Sequence, residues 1–345
     1  IAFIGAGRLQ PSLKVINVKE KTAEERGKNR REIMAASGRQ PDLERLIERI
    51  KNNDKKLTVI YGKSGVGKSS LLQAGLVPIM ELDNFEGRDY LPVLLRRYNN
   101  WDKELIEKLN NNCKSLENCW EWFGQNERFL IVLIFDQFEE FFFVDNPDGK
   151  TREEFYRFLH GCLDVPYLKV VLSLREDYLH YFFEPLRDYV DSKIDTGYED
   201  IFYYLGDLRP EDARQIIESL TAWSETRLEA DLISQLVTDL AGELGGVRPI
   251  ELQIVGSKLE TDKTTTLEEY QKLGENPKEI LVEGFLEDAV EDCGGENQRA
   301  AELVLFLLTT ENTRPLKTKR ELKEDLEQEG EKLDLVLEVL VGSGL

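Results

Sequence analysis

The chain has 345 residues, of which 41% are hydrophobic and 32% are charged, and its formal net charge is −21. This length predicts two or three domains. The acidic excess argues against general nucleic-acid binding and against docking on anionic membranes, because both need clustered Lys and Arg. The longest apolar runs have strand length and are too short to span a bilayer. No secretory leader opens the chain, and its four cysteines form no C-x-x-C pair. We therefore expect reduced thiols and a cytoplasmic location.

The chain begins with a segment that makes a poor domain by itself. Residues 1–37 include a charge-rich stretch, and we interpret them as an N-terminal extension or the remnant of an upstream effector or linker. After Gly38 and Arg39, apolar residues recur at helical spacing and Pro41 suits a first helical turn, so a helix is predicted there.

A complete G-x-x-x-x-G-K-S sequence follows the apolar, strand-like residues 57–61. Glycines let successive backbone N–H groups turn toward a polyphosphate. Lys68 can place its charge on the β- and γ-phosphates, and the Ser69 hydroxyl can hold Mg²⁺. The apolar run that follows predicts a helix whose N-terminus points at the anion. The residues predicted to bind a nucleotide here are Gly62, Ser64, Gly65, Val66, Gly67, Lys68, Ser69 and Ser70.

A second group of candidate residues follows the continuously apolar run 129–135. This run predicts a central parallel strand that is buried on both faces. Asp136 is then expected at the carboxyl end of the strand, where open α/β sheets bind ligands. Phosphoryl transfer needs one acid near Mg²⁺ and often a second that positions the attacking water. We predict Asp136 for the first role and either Glu139 or Glu140 for the second.

Further strand-like runs alternate with helical segments up to residue 205, which predicts a parallel sheet with helices on both faces. Arg175 directly follows one of these runs, at residues 167–174, and is therefore expected at the same sheet edge as Asp136. A basic side chain there can detect a γ-phosphate. A structural ion pair with Glu176 or Asp177 is the alternative interpretation.

The pattern becomes helical after residue 206. We predict a nucleotide-binding domain over residues 38–206, a small helical domain over 207–266 and a winged-helix-like domain, ending before it is complete, over 267–345. The last predicted helix, residues 333–341, contains two acidic residues and no Lys or Arg. A DNA-reading helix needs basic and amide side chains, so we expect this domain to contact protein.

These motifs resemble the STAND class of P-loop ATPases, the signal-transduction ATPases with numerous domains. The similarity is strongest to the bacterial branch found in signalling and antiphage defence proteins. Four segments carry the resemblance: the phosphate loop and its helix (61–76), the D-Q-F-E-E sequence (135–141), the sensor strand (172–178) and the entry to the helical domain (205–213). Gly38-Arg39 resembles the family's adenine-side motif, and Pro249 lies where the family often has a proline close to the base. No histidine lies in the winged-helix region, although some relatives use one there to hold ADP.

The resemblance implies a slow, regulated ATPase that uses ATP/ADP and Mg²⁺, with Lys68, Glu139, Glu140 and Arg175 as candidate catalytic residues. It also implies an ADP-bound closed state. ATP and a protein trigger, sensed by regions outside this chain, would open that state and allow homo-oligomerisation that controls an effector.

Other function classes would place different requirements on the sequence. A GTPase switch would need an N-K-x-D sequence, which the chain lacks. An AAA-type motor would need an arginine that acts on a neighbouring subunit, and the sequence singles out none. A non-catalytic scaffold that holds its nucleotide remains an alternative, as does the motor.

Overall fold

The computed structural model describes residues 38–109, 112–144, 150–190, 200–223, 227–241, 245–309 and 317–343. The predicted extension, residues 1–37, lies outside the described residues. The described chain divides into two compact units. One runs from Arg39 to Gly206, and the other comprises Gly38 and the chain from Asp207 onward.

The first unit alternates strands and helices. It opens with helix α1, Gln40–Lys51, and strand β1, Leu57–Gly62. Helix α2 is α-helical over Lys68–Ser70, π-helical over Leu71–Leu76 and again α-helical over Val77–Met80. The next elements in chain order are β2 (Asn84–Phe85), β3 (Arg88–Leu95), α3 (Trp101–Lys108), α4 (Leu116–Gln125) and β4 (Phe129–Phe135). They are followed by a 3₁₀-helix (Phe138–Phe143), α5 (Lys150–Asp164), β5 (Leu168–Arg175), a second 3₁₀-helix (Glu176–Tyr178), α6 (Leu179–Val190) and β6 (Phe202–Tyr204).

The six strands form one sheet in the order β2-β3-β4-β5-β1-β6. All neighbouring pairs are parallel except β2 with β3, which are antiparallel. Every residue of β5 is buried, as are all residues of β4 after Phe129, so both faces of the central sheet are covered. This confirms the predicted parallel sheet flanked by helices. The carboxyl ends of β4, β5 and β1 meet at one edge.

One face of the sheet packs on a large aromatic core. Phe135 contributes from β4, Trp101 from α3, Phe123 from α4, and Phe155 and Phe158 from α5. Several apolar residues of α1 and α2, among them Leu43, Leu46, Leu72 and Leu76, are also buried. Such cores hold the edge of the sheet rigid, because closely packed side chains resist displacement.

The second unit is helical. Its helices are α7 (Pro210–Trp223), α8 (Ala230–Ala241), α9 (Pro249–Asp262), α10 (Leu267–Gln271), α11 (Pro277–Glu291), α12 (Gln298–Leu307), α13 (Lys319–Asp325), a 3₁₀-helix (Glu327–Lys332) and α14 (Leu333–Gly342). One apolar core contains Leu208, Tyr270 and Leu281, and so extends past residue 266. A separate core is built from Ala289 to Leu340. The winged-helix-like domain and its boundary at residue 267 stay predictions.

Two of the four cysteines are joined. Cys113 and Cys119 form a disulfide, with their Cα atoms 5.0 Å apart, while Cys162 and Cys293 are free and buried. The expectation of reduced thiols is therefore wrong for Cys113 and Cys119. The reason is local: α4 begins at Leu116, so Cys119 lies in its first turns on the buried side, and the preceding loop brings Cys113 within bonding range. Among the described residues, no helix combines the length and apolar character that a membrane span requires.

Candidate nucleotide-binding site

The phosphate loop lies between β1 and α2. Gly65 and Gly67 adopt left-handed backbone conformations, with φ of 80° and 93°, which glycine tolerates without steric cost. Gly67 is the N-cap of α2, and its carbonyl accepts the Leu71 N–H at 2.9 Å. The loop therefore presents backbone N–H groups ahead of a helix N-terminus, which is the arrangement that binds phosphate.

The remaining loop residues differ in their surroundings. Gly62 ends β1, and a Cβ atom at this position would lie 2.2 Å from the Leu205 carbonyl oxygen, so glycine is needed there. Val66 is buried, whereas Ser64 is half-buried. The Ser70 hydroxyl is buried and has no hydrogen-bond partner among the described residues. This donor lies in the first turn of α2, next to Ser69.

Lys68 is folded back over the start of the loop. Its Nζ donates to the Gly62 carbonyl oxygen at 2.8 Å and to the Lys63 carbonyl oxygen at 2.9 Å. The side chain is buried, and this burial lowers the pKa of Lys68 to about 8, an effect that the nearby Glu139 carboxylate opposes. A buried ammonium is costly without anionic partners, so phosphate oxygens would stabilise its charged form.

Asp136 follows β4 and is fully buried. Its Oδ1 accepts a hydrogen bond from the Ser69 hydroxyl at 2.9 Å, and its Oδ2 accepts one from the Gln73 amide at 2.8 Å. The structure thus brings together the two residues that were predicted to hold Mg²⁺. A hydroxyl and a carboxylate fit this ion, which prefers oxygen ligands and completes its shell with phosphates and water.

The two candidate acids after Asp136 differ sharply. Gln137 has a left-handed conformation, with φ of 58°, and turns the chain into the 3₁₀-helix that carries both. Glu139 is 6% exposed, and its Oε2 accepts the Arg175 backbone N–H at 3.2 Å. Burial raises the pKa of Glu139, while Lys68 and Arg175 act in the opposite direction. Glu140 is exposed.

Arg175 ends β5 and pairs in register with Gly62 of β1. Its side chain is buried, and it donates from Nε to Asp177 Oδ1 at 3.1 Å and from Nη2 to Asp177 Oδ2 at 2.5 Å. The ion pair with Asp177 considered from the sequence is therefore present. Arg175 also lies beside the phosphate loop and Glu139, as its strand position predicts, and its role as a γ-phosphate sensor stays a prediction.

Arg39 lies at the start of α1, and its guanidinium contacts the phosphate loop. The Nη2 atom donates to the carbonyl oxygens of Val66 and Gly206, each at 2.7 Å, and Nη1 donates to Asp42 at 3.2 Å. Pro249 is the first residue of α9 in the second unit. The adenine-side roles of both residues stay predictions.

Three residues around Asp136 were not predicted from the sequence. They are Gln73, Arg96, whose Nε lies 3.6 Å from Asp136 Oδ2, and Tyr98, whose hydroxyl donates to the Asp136 carbonyl oxygen at 2.6 Å. Burial raises the pKa of Tyr98 well above its usual value, so the hydroxyl stays protonated. Gln73 could have been found, because it lies four residues after Ser69 on one helix face. Arg96 follows β3, and only the pairing of Leu95 with Phe135 places it beside Asp136.

The parallel sheet, the glycine loop between β1 and α2, and the acid after β4 define a P-loop NTPase. The chain matches the family model of Novel STAND NTPase 1 over residues 35–345, and it belongs to that family. No curated protein matches the chain significantly.

Several solved structures are similar to the chain at low sequence identity. They include the Aeropyrum pernix ORC2 protein in its ADPNP-ADP complexes, with 13% identity over 88% of this chain and 91% of that chain and a TM-score of 0.48. The Walker-type ATPase PABY2304 of Pyrococcus abyssi has 17% identity over 88% and 95%, with a TM-score of 0.49. Domain III of the Thermotoga maritima replication initiation protein DnaA has 14% identity over 72% and 92%, with a TM-score of 0.43. These distant similarities identify no activity for this chain.

Proposed function

We propose that the protein is an ATP-dependent molecular switch that hydrolyses its nucleotide slowly. In this proposal, the nucleotide state and a protein trigger together control opening, homo-oligomerisation and an effector in signalling or antiviral defence. The observation that carries the proposal is the contact of Ser69 with Asp136 at 2.9 Å, next to a glycine loop whose lysine is buried. Membership of the Novel STAND NTPase 1 family supports the same conclusion.

Different residues of the site bind the phosphates, hold Mg²⁺ and orient Asp136. The loop N–H groups and the α2 N-terminus bind the phosphates, and Lys68 neutralises their charge. Ser69 and Asp136 would hold Mg²⁺, which when bound neutralises charge on the β- and γ-phosphates. Gln73 and Tyr98 orient Asp136 through its carboxylate and its backbone carbonyl.

Glu139 is the better placed of the two acids to position and deprotonate the attacking water. It is buried near Lys68 and is held by the Arg175 backbone N–H, whereas Glu140 is exposed. The pKa values of both acids are raised, with burial as the main cause, so the choice of Glu139 rests on its position and its hydrogen bond.

Arg175 supplies the switching contact. A γ-phosphate at the loop competes with Asp177 for its guanidinium, so the two nucleotide states favour different positions of this side chain. Moving a two-state equilibrium from nearly closed to nearly open needs about 5.5 kcal/mol of differential binding. We propose that a protein trigger supplies part of this free energy.

Calorimetry with Mg²⁺-ATP tests the site directly. We expect saturable binding to the protein and none to Lys68→Ala, because the loop then loses the buried ammonium that neutralises the phosphates. Lys63→Ala, which changes the other lysine of the loop, serves as the matched control and should still bind. If Lys68→Ala bound ATP with unchanged affinity, the site assignment would be wrong.

Phosphate release and gel filtration test the switch beyond binding. A permanent scaffold would release no phosphate at any time, whereas the proposed switch turns over slowly. Gel filtration with ADP and with a non-hydrolysable ATP analogue, each with and without a trigger protein, separates induced assembly from a permanent ring. The proposal expects larger species only when the analogue and the trigger protein are both present.

A further inference from the structure

The Arg39 guanidinium is buried, and both of its Nη atoms donate to protein groups at or beside the phosphate loop, whereas its Nε has no hydrogen-bond partner among the described residues. We propose that Arg39 is a positioning residue that orients the loop through the Val66 carbonyl, so that it acts on the phosphates and leaves the base untouched. This inference rests on the proposed binding of a nucleotide. It assigns Arg39 a role different from the adenine-side contact that the resemblance implies.

The geometry of one peptide bond links Arg39 to the phosphates. In a trans peptide the carbonyl of one residue and the N–H of the next point in opposite directions. Because Arg39 Nη2 holds the Val66 carbonyl at 2.7 Å, the N–H of Gly67 points away from Arg39. Orienting this N–H is what a phosphate-binding loop requires of its backbone.

Among the described residues, packing around Gly67 does little to restrain that peptide. Gly67 has a left-handed backbone, and a Cβ built on it would meet no atom within 4 Å, so packing does not fix its conformation. The Val66 side chain is buried and anchors one side of the peptide. The hydrogen bond from Arg39 therefore supplies the restraint on the carbonyl itself.

Arg39 is held in turn from two directions. The same Nη2 donates to the Gly206 carbonyl oxygen, and Nη1 forms an ion pair with Asp42 of α1. Asp42 also accepts the Tyr203 hydroxyl of β6 at 2.6 Å. Only the rigid fork of an arginine reaches these acceptors together, and a lysine ammonium would satisfy fewer of them.

Arg39→Met is expected to lower the affinities for ATP, GTP and inorganic tripolyphosphate by one common factor, because all three ligands contain the phosphates. A buried hydrogen bond from a charged group is lost, which corresponds to a weakening of about tenfold or more. The ratio of ATP to GTP affinity should stay unchanged. The affinities of Arg39→Lys for these ligands should lie between those of the wild-type protein and those of Arg39→Met.

The experiment measures displacement of a fluorescent ATP analogue by ATP, GTP and inorganic tripolyphosphate, each with Mg²⁺. Arg128→Met, which removes a highly exposed arginine of the same unit, is the matched control and should leave all three affinities unchanged. A loss for ATP that spares tripolyphosphate would show a base contact and overturn the inference. Unchanged affinities for all three ligands would overturn it as well.

A second variant covers the case in which Arg39→Met does not fold. Tyr203→Phe keeps Arg39 but removes the hydroxyl that holds Asp42, and we expect it to weaken all three ligands equally, by a few-fold. Unchanged affinities in Tyr203→Phe would then count against the inference. If the wild-type protein bound none of the three ligands, the proposed function itself would fail, and that outcome is distinct from an effect confined to the variants.

Discussion

Asp136 is a carboxylate that is stable in the protein interior only because of its neighbours. Two neutral donors, Ser69 and Gln73, satisfy its oxygens, and the Arg96 guanidinium lies 3.6 Å away. Arg96 also donates to the Gln137 side chain at 2.6 Å, so it bridges Asp136 and the left-handed residue that follows. A buried charge without such partners would be costly.

Arg96 and a divalent cation are expected to compete for Asp136, because both place positive charge against the same carboxylate. Arg96→Met should therefore increase the factor by which Mg²⁺ strengthens ATP binding, by about three- to tenfold. Titrations of ATP with Mg²⁺ and with EDTA measure this factor. Arg97→Met is the control, since Arg97 is 68% exposed and pairs with Glu107. A factor that changed equally in both variants would refute the competition.

The two acids after Asp136 should respond differently to loss of charge. Glu139→Gln is expected to slow ATP hydrolysis at least about a hundredfold, within the range that general bases contribute, while nucleotide binding is kept. Glu140→Gln should retain most of the wild-type rate, because Glu140 is exposed. Single-turnover phosphate release measures both. Equal rates in the two variants would remove Glu139 as the base.

At the scale of elements, the site depends on a close approach of β1 to the segment after β6. The Leu205 N–H donates to the Tyr61 carbonyl oxygen at 2.8 Å, and the Leu205 carbonyl oxygen occupies the space where Gly62 would carry a side chain. The first residue of the phosphate loop is therefore packed against the end of the sheet's edge strand. Arg39 joins the same segment to Val66.

Gly62→Ala tests this packing. The added methyl group would lie 2.2 Å from a backbone oxygen, and overpacking of this kind costs about 1–3 kcal/mol or more. We expect a lower free energy of unfolding in urea. Gly124→Ala is the contrasting control, because its Cβ meets nothing within 4 Å inside helix α4, and there alanine should stabilise the protein by up to about 1 kcal/mol. Equal effects of the two substitutions would show that the close approach does not matter.

For the whole molecule, net charge makes a prediction about nucleic acid. Because its formal net charge is −21, the protein should bind duplex DNA at most weakly. Contacts of basic side chains with the DNA phosphates supply nearly all non-specific affinity. Fluorescence anisotropy with a labelled duplex, at about 50 and 150 mM salt, measures this. We expect no binding in the micromolar range at the higher salt. Tight binding whose affinity fell steeply with salt would reveal a basic surface that the overall charge conceals.

The amino-acid sequence by itself determined the parts of the site that are contiguous in the chain. The phosphate loop had to bend at Gly65 and Gly67, and the buried run before Asp136 had to be a central strand, because local conformation and apolar patterning depend on near neighbours. The same patterning predicted the parallel sheet and placed Asp136 and Arg175 at one edge.

Only the tertiary structure decided which residues meet across the sheet. Local spacing does not determine strand order, so neither the contact of Arg96 with Asp136 nor the bond between Glu139 and the Arg175 backbone N–H could be predicted from the chain alone. The disulfide between Cys113 and Cys119 also depended on where α4 begins. The motif at Gly38-Arg39 predicted that Arg39 belongs to the site. Its bonds to Val66 and Gly206 join segments far apart in sequence, because only packing of the folded chain brings such groups within hydrogen-bond distance.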